Sequence, residues 1–395
     1  MNNFTYYAPT KVVFGKGVEN TVGEELKALG ATKVLIHYGG GSVIKSGLMD
    51  RVKASLDAAG IAHVELGGVV PNPRLSKIHE GIDLCRKEGV DFVLAIGGGS
   101  AIDSAKSIAM GVPYEGDVWD VYCKKYVPTT ALPHANIVTL AATGSEMSDS
   151  AVVTNDCDGT MLKRGYNGVT NRAKLALMNP ELTFTLPPYQ TACGAVDIMM
   201  HTHERWFSKG GQNELTDRIA VAVLRTVIQY GPLCLEQPDN YEARSELMWA
   251  GTMSHNHTTG LGRAGDWGCH QLEHAIGGIY DVAHGAGLAA VWASWARYVM
   301  DEDIMRFARY ACEVWDCNMN YDDPKETALE GVARAEIFFK RLGMPTSISE
   351  LLGHKCTEEE LKKLAYDCSY FGTRSIGNFK SLDQNDMYNI FKAAN

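Results

Sequence analysis

The chain has no Cys-x-x-Cys pair, although it holds ten cysteines in 395 residues, and only Cys312 and Cys317 lie near one another. Neither a paired-thiol motif nor a disulfide framework can be read from such scatter. Positive charge is also in short supply: 37 Lys and Arg face 47 Asp and Glu, for a net charge of −10. That balance argues against a nucleic-acid partner. No apolar run reaches membrane-spanning length; Gly287–Met300 comes nearest and is interrupted by Ser294 and Arg297. A membrane partner is therefore not expected. The opening stretch MNNFTYYAPTKVVFG lacks the basic and apolar regions of a signal peptide. Free cysteines without an export signal lead to the expectation of a cytoplasmic protein. No repeat period and no low-complexity tract is present.

What is present is an ordinary globular mixture, 45% hydrophobic and 21% charged. The length exceeds one ordinary core, so two domains are expected. Up to about residue 185, short β-branched runs alternate with amphipathic helical patterns. Lys33–Tyr38, Ala62–Leu66, Asp91–Ile96 and Asn136–Leu140 read as strands. Gly47–Ala59 (capped by Gly60), Arg74–Lys87 (stopped by Gly89) and Ser100–Met110 read as helices. This grammar predicts an α/β domain over 1–186 with a Rossmann-like parallel sheet. After Pro187-Pro188 strand signals fade. Helical patterns follow at Gln190–Phe207, Asn213–Tyr230, Tyr241–Ser254, Asp266–Ile276, Gly285–Val299, Lys325–Arg341 and Thr357–Tyr366. An all-α domain is predicted over 187–395.

Two Gly-Gly-Gly-Ser segments, Gly39–Gly40–Gly41–Ser42 and Gly97–Gly98–Gly99–Ser100, each follow a predicted strand. Glycine allows close backbone approach, and a helix start offers free N–H groups to phosphate. Neither segment is a Gly-x-Gly-x-x-Gly fingerprint, and each alone is equally a plain turn. Two such turns at strand ends strengthen the dinucleotide reading. Thr139 and Thr143 follow another strand, where hydroxyls can serve ribose or phosphate, or simply cap a turn. No acid follows Lys33–Tyr38, whereas Ser42 and Lys45 do. A ribose 2′-phosphate is not repelled there, so NADP(H) is expected ahead of NAD(H).

Seven of the 12 histidines fall between His201 and His284. Asp197 and His201, like His270 and His274, stand four residues apart and share a helix face. His284 follows. A carboxylate and imidazoles on facing helices make a divalent metal site, Fe(II) and Zn(II) being equally suited. A buried Asp–His hydrogen bond is the alternative for the first pair. Gln271 stands where a zincin has glutamate, so a zinc protease is poorly supported. His203, His255 and His257 are read as structural or as rim residues.

Taken together, Val13-Phe14-Gly15-Lys16-Gly17, Gly97-Gly98-Gly99-Ser100 with Asp103 and Lys106, Thr143-Gly144-Ser145-Glu146, Asp197-x-x-x-His201 with Glu204, His270-x-x-x-His274 and His284-Gly285 resemble the iron-containing, or group III, alcohol dehydrogenase family across nearly the whole chain. The glycine turn at 39–42 resembles its NADPH-preferring, butanol dehydrogenase-like branch. The resemblance implies a dehydroquinate synthase-like architecture and hydride transfer between NADP(H) and small primary alcohols or aldehydes. It implies one divalent metal held by Asp197, His201, His270 and His284, with His274 near the substrate as proton relay. It further implies dinucleotide contacts along Gly97–Ser100 with Asp103, Thr139 and Thr143, and Lys163 near the nicotinamide. Leu140 stands where many relatives have a second threonine. A homodimer is implied, with Phe4–Phe14 available to pair across it. The rival expectations are a polyol or lactaldehyde-type dehydrogenase, a cyclase related to dehydroquinate synthase, and a non-enzymatic binding protein.

Overall fold

The computed structural model describes residues 1–211 and 213–395. It divides into two compact units, Tyr7–Leu186 and Pro187–Asn395 joined by Met1–Tyr6. The first six residues therefore group with the helical unit, not with the α/β domain expected to hold them. The amide of Asn2 donates to the Gly262 carbonyl at 3.3 Å.

The α/β unit begins with β1 (Lys11–Phe14) and α1 (Val22–Ala28), then β2 (Lys33–Tyr38), a single turn α2 (Ser42–Lys45) and α3 (Leu48–Ala59). β3 (Ala62–Leu66), α4 (Leu75–Glu88), β4 (Phe92–Gly97), α5 (Gly99–Gly111) and α6 (Trp119–Tyr122) follow. β5 (His134–Val138), the hairpin β6 (Ser150–Thr154) and β7 (Lys163–Asn167), and β8 (Leu175–Met178) complete it. Six strands form one sheet in the order β1-β8-β5-β4-β2-β3, every pairing parallel. β4 is buried along its whole length, as its unbroken apolar run requires of a strand covered on both faces. On one face Val34, Ile36, Leu94 and Ile96 pack with Leu26 of α1 and Val52 and Leu56 of α3. On the other, α5 lies against β4, and His37 Nε2 of β2 meets Ser104 Oγ at 2.8 Å. After β2 the chain adds β3 on one side and then β4 on the other. Winding thus reverses between β2 and β4, and ligands of open α/β sheets bind outside the carboxyl ends of strands at such a reversal.

Two strands add detail to the sequence reading. Lys11–Phe14 pairs within the chain, with Leu175–Met178, so it is an edge strand of its own sheet. β5 ends at Val138, two residues earlier than the apolar pattern implied, which leaves Thr139 just beyond the strand.

The second unit comprises α7 (Pro188–Trp206), α8 (Glu214–Glu236), α9 (Tyr241–His255), α10 (Gly268–Tyr280) and α11 (His284–Val299). α12 (Ile304–Trp315), α13 (Pro324–Arg341), α14 (Ile348–Leu352), α15 (Glu358–Cys368) and α16 (Gln384–Ala393) follow. Among the described residues the only β-pairing here is a single bridge, Ile376 to Leu382. α7 starts with proline in its first turn, where no N–H is missed, and is buried from Thr191 to Trp206. α8, α9 and α11 pack around it. The helix Glu214–Glu236, not Gly287–Met300, is the stretch with the length and mean hydropathy of a membrane span. Part of it, 39% of its apolar window, is buried, and it packs against α7 and α9.

Candidate functional site

The metal candidates are built on three helices. Positions 197, 201 and 204 of α7 fall at i, i+4 and i+7, one stripe of the helix. α10 contributes His270 and His274, and His284 is the first residue of α11. Asp197, His201 and His270 are 3%, 4% and 5% exposed. From Asp197 Oδ1, His201 Nδ1 lies at 3.4 Å, and His270 Nε2 and His284 Nε2 each lie at 3.8 Å. Bonds of about 2.0–2.2 Å to a tetrahedral ion put ligand atoms roughly 3.3–3.6 Å apart. The observed separations are those of a cluster open by a few tenths of an ångström.

Close backbone packing brings these donors together. A Cβ on Gly285 would stand 2.1 Å from the carbonyl oxygen of Cys193. Only glycine at that position lets α11 rest directly on α7, four residues before Asp197. At the head of α10, Asp266 Oδ2 accepts the Gly268 amide at 2.9 Å, while Oδ1 accepts the amides of Asn378 at 2.7 Å and Phe379 at 2.6 Å. Trp267 takes up a left-handed conformation, φ 63°, so α10 starts later than its apolar pattern suggests. Its ring centroid lies 5.4 Å from that of His270 and 6.2 Å from that of His201.

The donor chemistry fits a divalent cation. Asp197 Oδ1, His201 Nδ1 and His270 Nε2 are buried and make no hydrogen bond. Such atoms carry a desolvation cost that a cation relieves. Glu204 Oε1 accepts from both the amide and Nδ1 of His270, each at 2.8 Å. Glu273 Oε2 contacts His284 Nδ1. Burial works against charge on His270, but Asp197 and Glu204 outweigh it and push its pKa up to about 9. Burial, then the cationic neighbours His270 and Arg205, hold His201 well below the usual range. One ring of the cluster thus attracts positive charge while the next rejects a proton.

His274 is buried one turn after His270, its ring centroid 5.9 Å from that of His284, and it groups with Glu273 and His284 as possible ligands. His203 lies off the stripe: its Nε2 meets the Tyr310 hydroxyl at 3.0 Å and its ring stacks on Trp292. Burial pushes it down to about 3, so it is a neutral core residue. His255 packs edge-on against His201, ring centroids 4.0 Å apart, closer to the cluster than its place in the sequence indicated.

In the α/β unit, the turns after β2, β4 and β5 follow three neighbouring parallel strands: Tyr38 is level with Ile96, and Gly97 with Val138. α5 starts behind Gly98 with no side-chain cap and no acid in its first turn. A Cβ on Gly99 would lie 2.4 Å from Thr143 Cγ2, so the 97–100 turn and the 139–143 segment interlock. Thr143 Oγ1 also accepts the Ser145 amide at 3.1 Å. Gly40, Gly41, Ser42 and Lys45 are exposed, and Gly39 is half-buried.

Asp103 faces the protein: Ser145 Oγ donates to its Oδ1 at 2.6 Å and the Val152 amide to its Oδ2 at 2.9 Å. Its place is beneath the turns, bracing residues 145–152. Lys106, fully buried, donates to Ser145 O at 2.7 Å, Ser145 Oγ at 2.8 Å and Ser150 O at 2.7 Å. Burial lowers it to about 8 against the pull of Asp103 and Glu146. The signal for this role is a lone lysine among the small and apolar residues of α5. Lys163 is buried at the start of β7, opposite Thr154.

Known families match both units. The family described as iron-containing alcohol dehydrogenase matches residues 9–180, and that described as the Fe-containing alcohol dehydrogenase family, C-terminal, matches 191–395. NADH-dependent butanol dehydrogenase A of Clostridium acetobutylicum is 42% identical over 394 residues, covering 99% of each chain. The NADPH-dependent aldehyde reductase YqhD of Escherichia coli is 35% identical over 89% of each chain. The crystal structure of NADH-dependent butanol dehydrogenase A from Thermotoga maritima matches with TM-score 0.95 and 39% identity, covering 100% of this chain and 99% of that one.

Proposed function

The chain belongs to the iron-containing alcohol dehydrogenase family, and from that premise we propose that it interconverts small primary alcohols and aldehydes of the butanol and butyraldehyde class, using NADP(H) and one divalent metal. Alcohol dehydrogenase or aldehyde reductase activity with a nicotinamide cofactor is common to its full-length relatives. The observation that carries the rest is the convergence of ring nitrogens from His201, His270 and His284 on Asp197 Oδ1 within 3.8 Å.

A divalent ion, Fe(II) or Zn(II), supplies a Lewis acid toward the substrate oxygen, and the nicotinamide supplies or accepts hydride. Asp197, His201, His270 and His284 hold the ion. His274 moves the proton that the alcohol oxygen loses or the carbonyl oxygen gains. The amides of Gly97, Gly98, Gly99 and Ser100 receive the diphosphate at the start of α5, with Thr139 and Thr143 alongside. Lys163 serves as a cation at the nicotinamide end. Gly39–Ser42 and Lys45 form an acid-free turn, exposed from Gly40 on, suited to a 2′-phosphate.

NADH as the preferred cofactor is the second reading, favoured by relatives named NADH-dependent. We further propose a cytoplasmic homodimer. The exposed aromatic residues Phe4, Tyr6, Tyr7 and Phe14, on and before the edge strand β1, support that assembly.

The test is to purify the protein, measure its bound metal, and follow butyraldehyde reduction with NADPH and with NADH. About one metal per chain, loss of turnover on chelation, and a higher kcat/KM with NADPH are expected. Equal turnover by the metal-free protein refutes the metal assignment, and a higher kcat/KM with NADH refutes the cofactor preference.

A further inference from the structure

Two buried carboxylates beside the cluster lie outside the proposed ligand set of Asp197, His201, His270 and His284. Glu204, on α7, and Glu273, on α10, are 2% and 0% exposed. Each is turned onto the Nδ1 of a different histidine: Glu204 onto His270 and Glu273 onto His284. The opposite nitrogen of each ring, Nε2, faces Asp197 Oδ1 at 3.8 Å. The arrangement is built twice, from different helices. The space for the second copy is reserved, since a Cβ on Gly287 would stand 2.9 Å from Glu273 Cγ.

We infer that Glu204 and Glu273 are a matched pair of positioning residues that set the tautomers of His270 and His284 and so govern how tightly the cluster holds its divalent ion. This rests on the metal site proposed above and assigns it two further residues. A carboxylate on Nδ1 keeps the proton there, which leaves the Nε2 lone pair directed at the ion and makes the ring a stronger donor. With Asp197, Glu204 and Glu273 ionised and all three histidines neutral, a divalent ion would leave the assembly at a net −1. His201 is held differently, by the edge-on ring of His255. Removing either glutamate's charge therefore weakens one ligand and leaves the other three in place.

The experiment uses Glu204→Gln and Glu273→Gln, each stripped and reloaded with Zn(II) or Co(II). Loss of an outer carboxylate of this kind costs about 10–100-fold in metal affinity, and that loss is expected here in Zn(II) competition against a chelator. The visible bands of the Co(II) form should shift, while the metal-free variant melts within a few degrees of the metal-free parent. If Zn(II) affinity and Co(II) bands stay at parental values, whatever the melting temperature does, the inference fails and the carboxylates are only packing. A parent that binds no Zn(II) at all overturns the metal site itself. Should a variant not fold, the parent answers alone: in the Zn(II)-loaded protein, ¹⁵N spectra of labelled histidine should show His270 and His284 protonated at Nδ1. Protonation at Nε2 would refute the assignment.

Discussion

The two units present their chemistry in opposite ways. At the carboxyl ends of β2, β4 and β5 the candidate groups are mostly backbone, and a Cβ at Gly99 has no room beside Thr143. In the helical unit the groups are side chains, and the backbone serves to bring them close. Gly285 is needed there too, but to let one helix touch another. Glycine thus makes room for a side chain of the next turn in one unit and for the backbone of a neighbouring helix in the other. A backbone site is sensitive to added volume, whereas a side-chain site is sensitive to lost charge.

The comparison breaks most sharply at His270. His270→Ala should lose metal and turnover together, beyond the hundredfold end of outer-shell losses, while circular dichroism shows the helices intact. An active, metal-free variant would remove His270 from the site. Gly285→Ala carries volume into the side-chain unit. With Cys193 O in the way, α11 must shift from α7, costing about 1–3 kcal/mol of stability and loosening metal binding; denaturant melts and metal content check both. Unchanged metal content would show that α11 is free to move without disturbing His284.

Acid should strike the helical unit through a different carboxylate. Asp217 is buried, and its interior position disfavours charge, but Arg306 and Arg263 outweigh that and hold it down at about 2 against an ordinary 3.8. A group lowered in this way stabilises the fold above its unfolded pKa and releases that stability as pH falls through its folded pKa. Roughly 2 kcal/mol should therefore fade between pH 3.8 and about 2, and Asp217→Asn should abolish that part of the acid dependence in denaturant melts. The smallest effect belongs to the α/β unit: Gly99→Ala should raise the cofactor KM by about tenfold, the equivalent of 1.4 kcal/mol of misfit, with bound metal unchanged. If metal is lost as well, the two units do not fail independently.

How much could be read beforehand follows the same division. β2 and β3 lie on the residues their apolar runs predicted, because glycines and helical periodicity bound them on both sides. β1 and β8 are four residues each, too short for a period to show. The β6–β7 hairpin carries an Asp158-Gly159 turn signal, but eight residues separate its strands, too many for that dipeptide alone to pair them. α12 went unseen because only residues 300–303 separate it from α11, and neither glycine nor proline marks the break. Asp197, His201 and His270 were legible as candidates because helical spacing puts Asp197 with His201, and His270 with His274, on one face; His284 joined them only through the family resemblance. The pairing of Glu204 with His270 and of Glu273 with His284 was not legible, since a carboxylate's partner depends on how helices cross. Lys106 belongs to a motif visible in the sequence, yet its function as a hub exists only once Ser145, Ser148 and Ser150 wrap over it.

Asp266 draws a distant part of the chain into this economy of contacts. Its carboxylate ties the amides of Asn378 and Phe379 to the first turn of the helix that bears His270. Trimming the tail from residue 377 onward would untie that knot and let the imidazole drift, so an enzyme shortened there would go quiet with every ligand still in its sequence.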